Sequence, residues 1–286
     1  MSGIERVGVV GGGLMGSGIA EVASRAGLSV MLIEVGDVAV ERALDRVEES
    51  LHRAEIRGKI DSAEAVAVLD RIDFSTDLES LADRDLVVEA ASEDEVTKLG
   101  LFRKLGRVLT KDDAILASNT SSIPIVKLGA VSGRAGQVVG VHFFNPAPVM
   151  QLVELIPSLT TSPETLARMR SFVESDLEKH AIDATDRAGF VVNSLLVPYL
   201  LSAIRMYEAG YASADDIDRG MVLGCGHPMG PLALADLIGL DTVRAIGISM
   251  YNEFKEPLYS QPPVLDRMVE AGLLGKKSQQ GFYSYG

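Results

Sequence analysis

The chain has 286 residues, 47% of them hydrophobic, enough for a sizeable core, and its length suits one large domain or two ordinary ones; two are expected. With 27 lysines and arginines against 40 aspartates and glutamates, the net charge of −13 repels nucleic acid and anionic membrane surfaces, so neither is expected as a partner, whereas a phosphorylated small molecule held by a local cluster of cations is not excluded. One cysteine, Cys225, rules out an internal disulfide, and with no charged leader before the first strand and no run of eighteen apolar residues the expectation is a soluble, cytoplasmic protein.

Short β-branched runs at residues 7–10, 29–34, 71–74, 85–89, 114–117 and 138–143 alternate with helical stretches, the pattern of crossover units that build a parallel sheet. The first run leads into Gly11-x-Gly13-x-x-Gly16 and a helical stretch that stops at Ala26-Gly27. Glycine-rich turns also occur without any nucleotide. Here the motif follows a strand and opens a helix, so its glycines permit a tight turn and bring a pyrophosphate close to free amides at a helix N-terminus. Leu14 and Met15, inside the motif, are counted with Gly11, Gly13 and Gly16 as the cofactor turn. The second strand ends at Glu34, whose carboxylate can bind two ribose hydroxyls and would repel a 2′-phosphate, favouring NAD; its bland reading is a solvated strand end.

Residues 37–70 are charged and too long for a simple connection, and read as an inserted helical pair protruding from the sheet. After the fourth strand come Glu93 and Lys98, either contacts to the nicotinamide end or ordinary helix-surface charges. After the fifth comes a polar cluster, Ser118-Asn119-Thr120-Ser121-Ser122, suited to ligand hydroxyls; for Ser118 and Ser122 a helix-capping turn is the simpler reading.

The sixth strand carries His142, and a Pro-containing turn joins it to an apolar strand carrying Glu154 twelve residues later. A lone histidine among valine and phenylalanine is usually a packed residue. A carboxylate within Val153-Glu154-Leu155-Ile156, however, is costly to bury unless paired, and a His–Glu pair satisfies both groups, orients the ring and stabilises an imidazolium. With the glycine motif, this reads as a nicotinamide-dependent dehydrogenase with His142 as general acid/base and Glu154 as its partner.

Beyond Thr185 no convincing strand follows. Residues 189–209 form a long, nearly all-apolar helix, expected to be buried on most sides, and helical segments near 214–223, 231–238, 241–253 and 263–271 complete a bundle. The domains are therefore taken as residues 1–186 and 187–286. A bundle this small needs a second subunit to cover such a helix, so a homodimer through the C-terminal domain is expected. Asn193 is an amide in an apolar helix, aimed either at a backbone group or at a substrate. His227 reads as structural at a helix start and Cys225 as a packed small residue, and the four histidines and one cysteine show no metal-ligand spacing.

GGGLMGSGIAE, VVEAASED, ASNTSS, HFFNPAPVMQLVEL, GFVVNSLLVPYLLSAIR, HPMGPLALADLIGLDT and LGKKSQQGFY, in that order and over nearly the whole chain, resemble the L-3-hydroxyacyl-CoA dehydrogenase family, most of all its short-chain bacterial 3-hydroxybutyryl-CoA branch. The resemblance implies an α/β fold: a Rossmann-type N-terminal domain with a mainly parallel sheet, an all-α C-terminal dimerisation domain, and an active-site cleft between them. It implies His142 as base, Glu154 as its partner, Ser121 and Asn193 as substrate-binding residues, and Asn119, Glu93 and Lys98 near the nicotinamide. An acyl-CoA thioester is the implied substrate, and Arg53, Arg57 and Lys59 in the helical pair are either its adenine-phosphate site or solvated charges. A hydroxy acid, an acyl-carrier-protein thioester and a non-catalytic NAD-binding scaffold are the alternatives. The chain departs from the family pattern at Gln279-Gln280 and Ala188, which puts local loop geometry in doubt, and at Glu34 for the commoner aspartate, which keeps the carboxylate.

Overall fold

Eight strands, β1 (Arg6–Val10), β2 (Ser29–Ile33), β3 (Ile72–Ser75), β4 (Leu86–Glu89), β5 (Ile115–Ser118), β6 (Val138–Phe143), β7 (Leu152–Pro157) and β8 (His180–Asp183), form one sheet in a computed structural model that describes residues 2–286. Their order is β3-β2-β1-β4-β5-β6-β7-β8, and every neighbouring pair is parallel except β6 with β7. Strands β4, β5 and β6 are buried at every position, which is why they read as continuous apolar runs without alternation. The strand order reverses between β1 and β4, and at that switch point a crevice opens beyond the carboxyl ends of the strands.

The reversal of direction at β7 follows from chain length. Eight residues, 144–151, join it to β6, fewer than the dozen or so a parallel crossover needs, so the chain can only turn back. From β7 a helix at Pro163–Ser171 provides the crossover to β8, a strand that the sequence did not reveal. β8 is four residues long and lies at the sheet edge with no buried position, so it shows neither an apolar run nor alternation.

The helices of this part are α1 (Leu14–Arg25), α2 (Asp37–Ile56), α3 (Ser62–Leu69), α4 (Glu95–Val108), α5 (Ile125–Ser132) and α6 (Pro163–Ser171). The charged pair α2 and α3 is not a protruding insertion. It is the β2-to-β3 crossover itself, and Ala43, Val47, Leu51 and Val68 enter the same core as the sheet. Its charges belong to the outer face of an amphipathic helix, with a buried stripe at i, i+4 and i+8.

By their contacts, residues 1–186 and 187–286 are two compact units. The second consists of α7 (Val192–Glu208), α8 (Ala214–Cys225), α9 (Pro231–Ile238), α10 (Leu240–Phe254) and α11 (Pro263–Glu270) around Val197, Leu200, Leu201, Ile204, Leu232 and Leu240. Asp218 on α8 caps α9, accepting from Leu232 N and Ala233 N at 2.8 Å each, and buried Asp236 accepts from Phe282 N and Tyr283 N to hold the C-terminal turn. In that turn Gln279 adopts a left-handed backbone (φ 62°) and Gln280 bridges to Gly275 and Ser284, so the glutamines leave the turn closed. Ala188 is buried, its N–H on Glu253 at 2.9 Å. Helix α7 buries one face within this unit, while Leu195 and Met206 on it are 75% and 46% exposed. Cys225 is exposed rather than packed, because it falls at the last residue of α8. No helix among the described residues is long and apolar enough to cross a membrane.

Candidate active site

At the switch point the chain leaves β1 through three glycines with different tasks. Gly11 sits at φ 96°, and a Cβ there would stand 2.8 Å from Ala90 O; one on Gly16 would stand 1.7 Å from Gly11 O. These two are required by the protein itself. A Cβ on Gly13 would meet nothing within 4 Å, so that glycine keeps clear the space in front of the α1 N-terminus, where amides and the helix dipole attract an anion. A cavity of about 670 Å³ lies here, lined by Gly11, Gly13, Leu14, Met15, Glu34 and Thr97 among others. Glu34, half-buried at the end of β2, is held by Gly12 N at 2.6 Å and Val35 N at 3.0 Å, so its carboxylate is already oriented at the cavity edge. An open glycine edge, a helix N-terminus and a placed carboxylate fit a dinucleotide with an unphosphorylated ribose.

Next along the carboxyl edge is a charge network around Lys98. This lysine is 1% exposed; its Nζ donates to Glu89 Oε1 at 2.6 Å and lies 3.4 Å from Glu93 Oε2. Glu89, fully buried at the last position of β4, also accepts from Ala91 N at 2.7 Å and Ser118 Oγ at 2.6 Å. Glu93 accepts from Thr120 Oγ1, from Ser121 N at 2.9 Å and from both the N and Oγ of Ser122. Burial opposes ionisation of Glu93, but the Lys98 charge and these donors outweigh it and hold the carboxyl below its usual range. Two loops that are separate in sequence, after β4 and after β5, are thereby fastened to each other. Ser118 and Ser122 are part of this fastening and not of a helix cap; the first amides of α5, on Ile125 and Val126, are capped instead by Asp186 at 2.7 and 2.9 Å.

Asn119 continues the edge toward β6, its Oδ1 accepting from Phe143 N at 2.8 Å. One residue before Phe143 is His142. In the antiparallel register His142 lies directly opposite Glu154, so the two side chains share a face, and Nδ1 is 2.7 Å from Glu154 Oε2. Glu154 is fully buried and His142 is 8% exposed, with Phe144 edge-on to the imidazole at 4.8 Å between centroids. A carboxylate at this distance favours the tautomer with the proton on Nδ1, which makes Nε2 the basic nitrogen, and it stabilises the ring when Nε2 takes a second proton. Such a pair is chemically able to accept and donate a proton at the carboxyl edge of the sheet.

Two family models cover the chain: the 3-hydroxyacyl-CoA dehydrogenase NAD binding domain over residues 6–187 and the C-terminal domain of the same enzymes over residues 189–285. The chain belongs to the 3-hydroxyacyl-CoA dehydrogenase family. It is 53% identical over 282 residues to a 3-hydroxybutyryl-CoA dehydrogenase of Mycobacterium tuberculosis, with 99% of both chains covered. Among solved structures it resembles FadB2 of M. tuberculosis, with a TM-score of 0.98, 53% identity and 99% of each chain covered. It also resembles the (S)-3-hydroxybutyryl-CoA dehydrogenase PaaH1 of Ralstonia eutropha, with a TM-score of 0.93 and 43% identity over 99% of each. NAD is the cofactor of this dehydrogenase, and the glycine turn, the cavity and Glu34 are the parts of the chain that fit it.

Of the positions that the sequence singles out in this dehydrogenase, Gly11, Gly13, Leu14, Met15, Gly16 and Glu34 converge on one cavity or its turn. Glu93, Lys98, Asn119 and Ser121 belong to the adjoining loops, and His142 with Glu154 follows on β6 and β7. Asn193 belongs to the helical unit, buried on the first turn of α7. Arg53, Arg57 and Lys59 are exposed together at the far end of α2, Arg53 in a 3.5 Å ion pair with Glu49. His227 follows α8, with Tyr199 Oη 3.1 Å from its Nδ1. Sequence reasoning missed Glu89 and Asp186. A carboxylate at the end of a fully apolar strand was a usable signal for Glu89; Asp186 acts 61 residues from its partner and left no local trace.

Proposed function

We propose that this chain oxidises short-chain (S)-3-hydroxyacyl-CoA thioesters such as 3-hydroxybutyryl-CoA to the 3-ketoacyl-CoA, reversibly and with NAD. The observation that carries the reading is the buried His142–Glu154 pair, in register and on one face, at the sheet edge that also holds the dinucleotide turn. Bound NAD supplies the hydride acceptor in oxidation and, reduced, the donor in the reverse direction. His142 Nε2 takes the proton of the 3-hydroxyl and returns it in reduction, while Glu154 holds the ring and stabilises its charge; such acid–base work contributes about 10²–10⁴-fold. Ser121, whose backbone Glu93 holds, binds the reacting oxygen of the substrate, and Asn193 serves it as the family resemblance implies. Glu93, Lys98 and Asn119 organise the loops at the nicotinamide end. The relatives' names support the short-chain thioester over a hydroxy acid or a carrier-protein substrate.

The cations Arg53, Arg57 and Lys59 receive the adenine phosphate of coenzyme A. The homodimer is supported by α7, where Leu195, Tyr199, Ser202 and Met206 fall on one stripe with both apolar ends exposed, and by exposed Leu223 on α8. A cytoplasmic location keeps exposed Cys225 reduced. The deciding assay is NADH oxidation with acetoacetyl-CoA. The wild type turns over and His142→Gln binds NADH with almost no turnover; near-normal turnover in that variant rules out the assigned base. Charge reversal at Arg53 and Arg57 raises KM for acetoacetyl-CoA and leaves that for a pantetheine thioester unchanged, and an unchanged KM for both removes the phosphate site.

A further inference from the structure

Lys179, immediately before β8, is a cation that the proposed chemistry leaves unused. Its side chain is buried, 5% exposed, and Nζ donates to Ala147 O at 2.9 Å and Met150 O at 2.8 Å. Those carbonyls lie within residues 144–151, the link between the strand of His142 and the strand of Glu154. Within the link, Val149 N and Met150 N both bond to Pro146 O, closing a single tight turn. The other side of this turn rests on α1, where a Cβ on Gly18 would stand 3.2 Å from Ala147 Cβ and 3.3 Å from Pro148 Cδ. Gly18 is two residues past the last glycine of the cofactor turn. The link therefore touches the helix that receives the pyrophosphate, and Lys179 pins it there.

The arrangement is costly. Burial, with help from the nearby Arg25 charge, pushes the Lys179 ammonium below its usual range. Arg25 in turn has Nη2 2.6 Å from Oε1 of Glu21, which is fully buried on α1. An apolar side chain at position 179 would avoid the desolvation but leave the buried Ala147 carbonyl and the part-buried Met150 carbonyl without their donor, free to let the turn shift.

We infer that Lys179 is a positioning residue for the reaction proposed above: by pinning the link between β6 and β7 against α1, it sets where His142 stands relative to the bound dinucleotide. The inference rests on His142 being the acid/base. Misplacing a reacting group by about 1 Å can cost on the order of 10²-fold in rate.

The test is single-turnover hydride transfer from NADH to acetoacetyl-CoA, followed by stopped flow in the wild type, Lys179→Met, Lys179→Gln and Lys179→Arg. The single-turnover rate constant does not depend on how much of the protein is folded, so a merely structural role leaves it unmoved. Expected for Lys179→Met is an NADH dissociation constant within about twofold of wild type and a rate constant lower by about 10²-fold. Lys179→Gln, with donors on one side-chain amide, falls in between, and Lys179→Arg recovers most of the rate. Should Lys179→Met fail to fold, Lys179→Gln carries the comparison. Rate constants within threefold of wild type in the folded non-cationic variants overturn the inference. A wild type that does not oxidise NADH with this substrate overturns the functional reading itself, a result separate from any difference among the Lys179 variants.

Discussion

Replacing Glu154 with glutamine removes a negative charge with little change of shape, and the geometry allows its effect to be sized. Glu154 is fully buried, its Oε2 is 2.7 Å from His142 Nδ1, and both residues sit on facing strands that leave the side chains little room to adjust. With charge centres about 4 Å apart and an effective dielectric constant of about 20, the carboxylate stabilises an imidazolium by about 4 kcal/mol. Glutamine can still present an oxygen to Nδ1–H, so part of the interaction survives and a net loss of about 2–4 kcal/mol is expected. At about 1.4 kcal/mol per decade this corresponds to a kcat lower by roughly 30-fold to 10³-fold. The assay is acetoacetyl-CoA-dependent NADH oxidation at saturating substrates, with NADH affinity and the thermal melt measured alongside. Affinity should be unchanged, since the cofactor turn lies on other strands. If Glu154→Gln turns over within threefold of wild type, the carboxylate serves only to satisfy the ring, and the electrostatic argument fails.

Gly13→Ala separates ligand from fold: the protein has room for the methyl and Gly13 has a negative φ, so the melting temperature should hold while NADH affinity drops at least tenfold, and equal affinity would place the pyrophosphate elsewhere. Lys98→Met leaves the fully buried Glu89 without its cation, and breaking such a buried pair costs about 3–5 kcal/mol, to be read from denaturant unfolding; a loss below about 1 kcal/mol contradicts the Lys98 network. Glu93 is held below its ordinary 4.5 in the folded state, so its contribution to stability is present above that value and disappears as pH falls through the lower folded value. Melting curves from pH 6 to pH 3 should accordingly be flatter for Glu93→Gln than for wild type, and parallel curves would remove Glu93 from the acid response. Leu195→Asp with Met206→Glu should turn a dimer into a folded monomer by light scattering; an unaltered molar mass would move the interface off this stripe of α7.

Features made by neighbours in the chain were open to sequence reasoning. The glycine turn between an apolar strand and a helix is largely local, because it rests on the positive φ of Gly11 and on the close approach of Gly16 to Gly11 O five residues earlier. The His142–Glu154 pair is nearly local. An eight-residue connection forces β7 back along β6, and strand alternation then decides whether the side chains meet; a slip of one residue would turn them to opposite faces. What the tertiary structure alone decided concerns groups whose partners lie far along the chain. Lys98 and Lys179 resemble surface charges in sequence, and only the packing of other loops around them turns one into an ion pair and the other into a clamp on two carbonyls. The polar face of α2 suggested a protrusion although its narrow apolar stripe seats it on the core, and β8, short and at the edge, is a strand only because β7 is there to pair with it. Local sterics and periodicity are written residue by residue, whereas the burial of a charge is settled by whatever the fold brings against it.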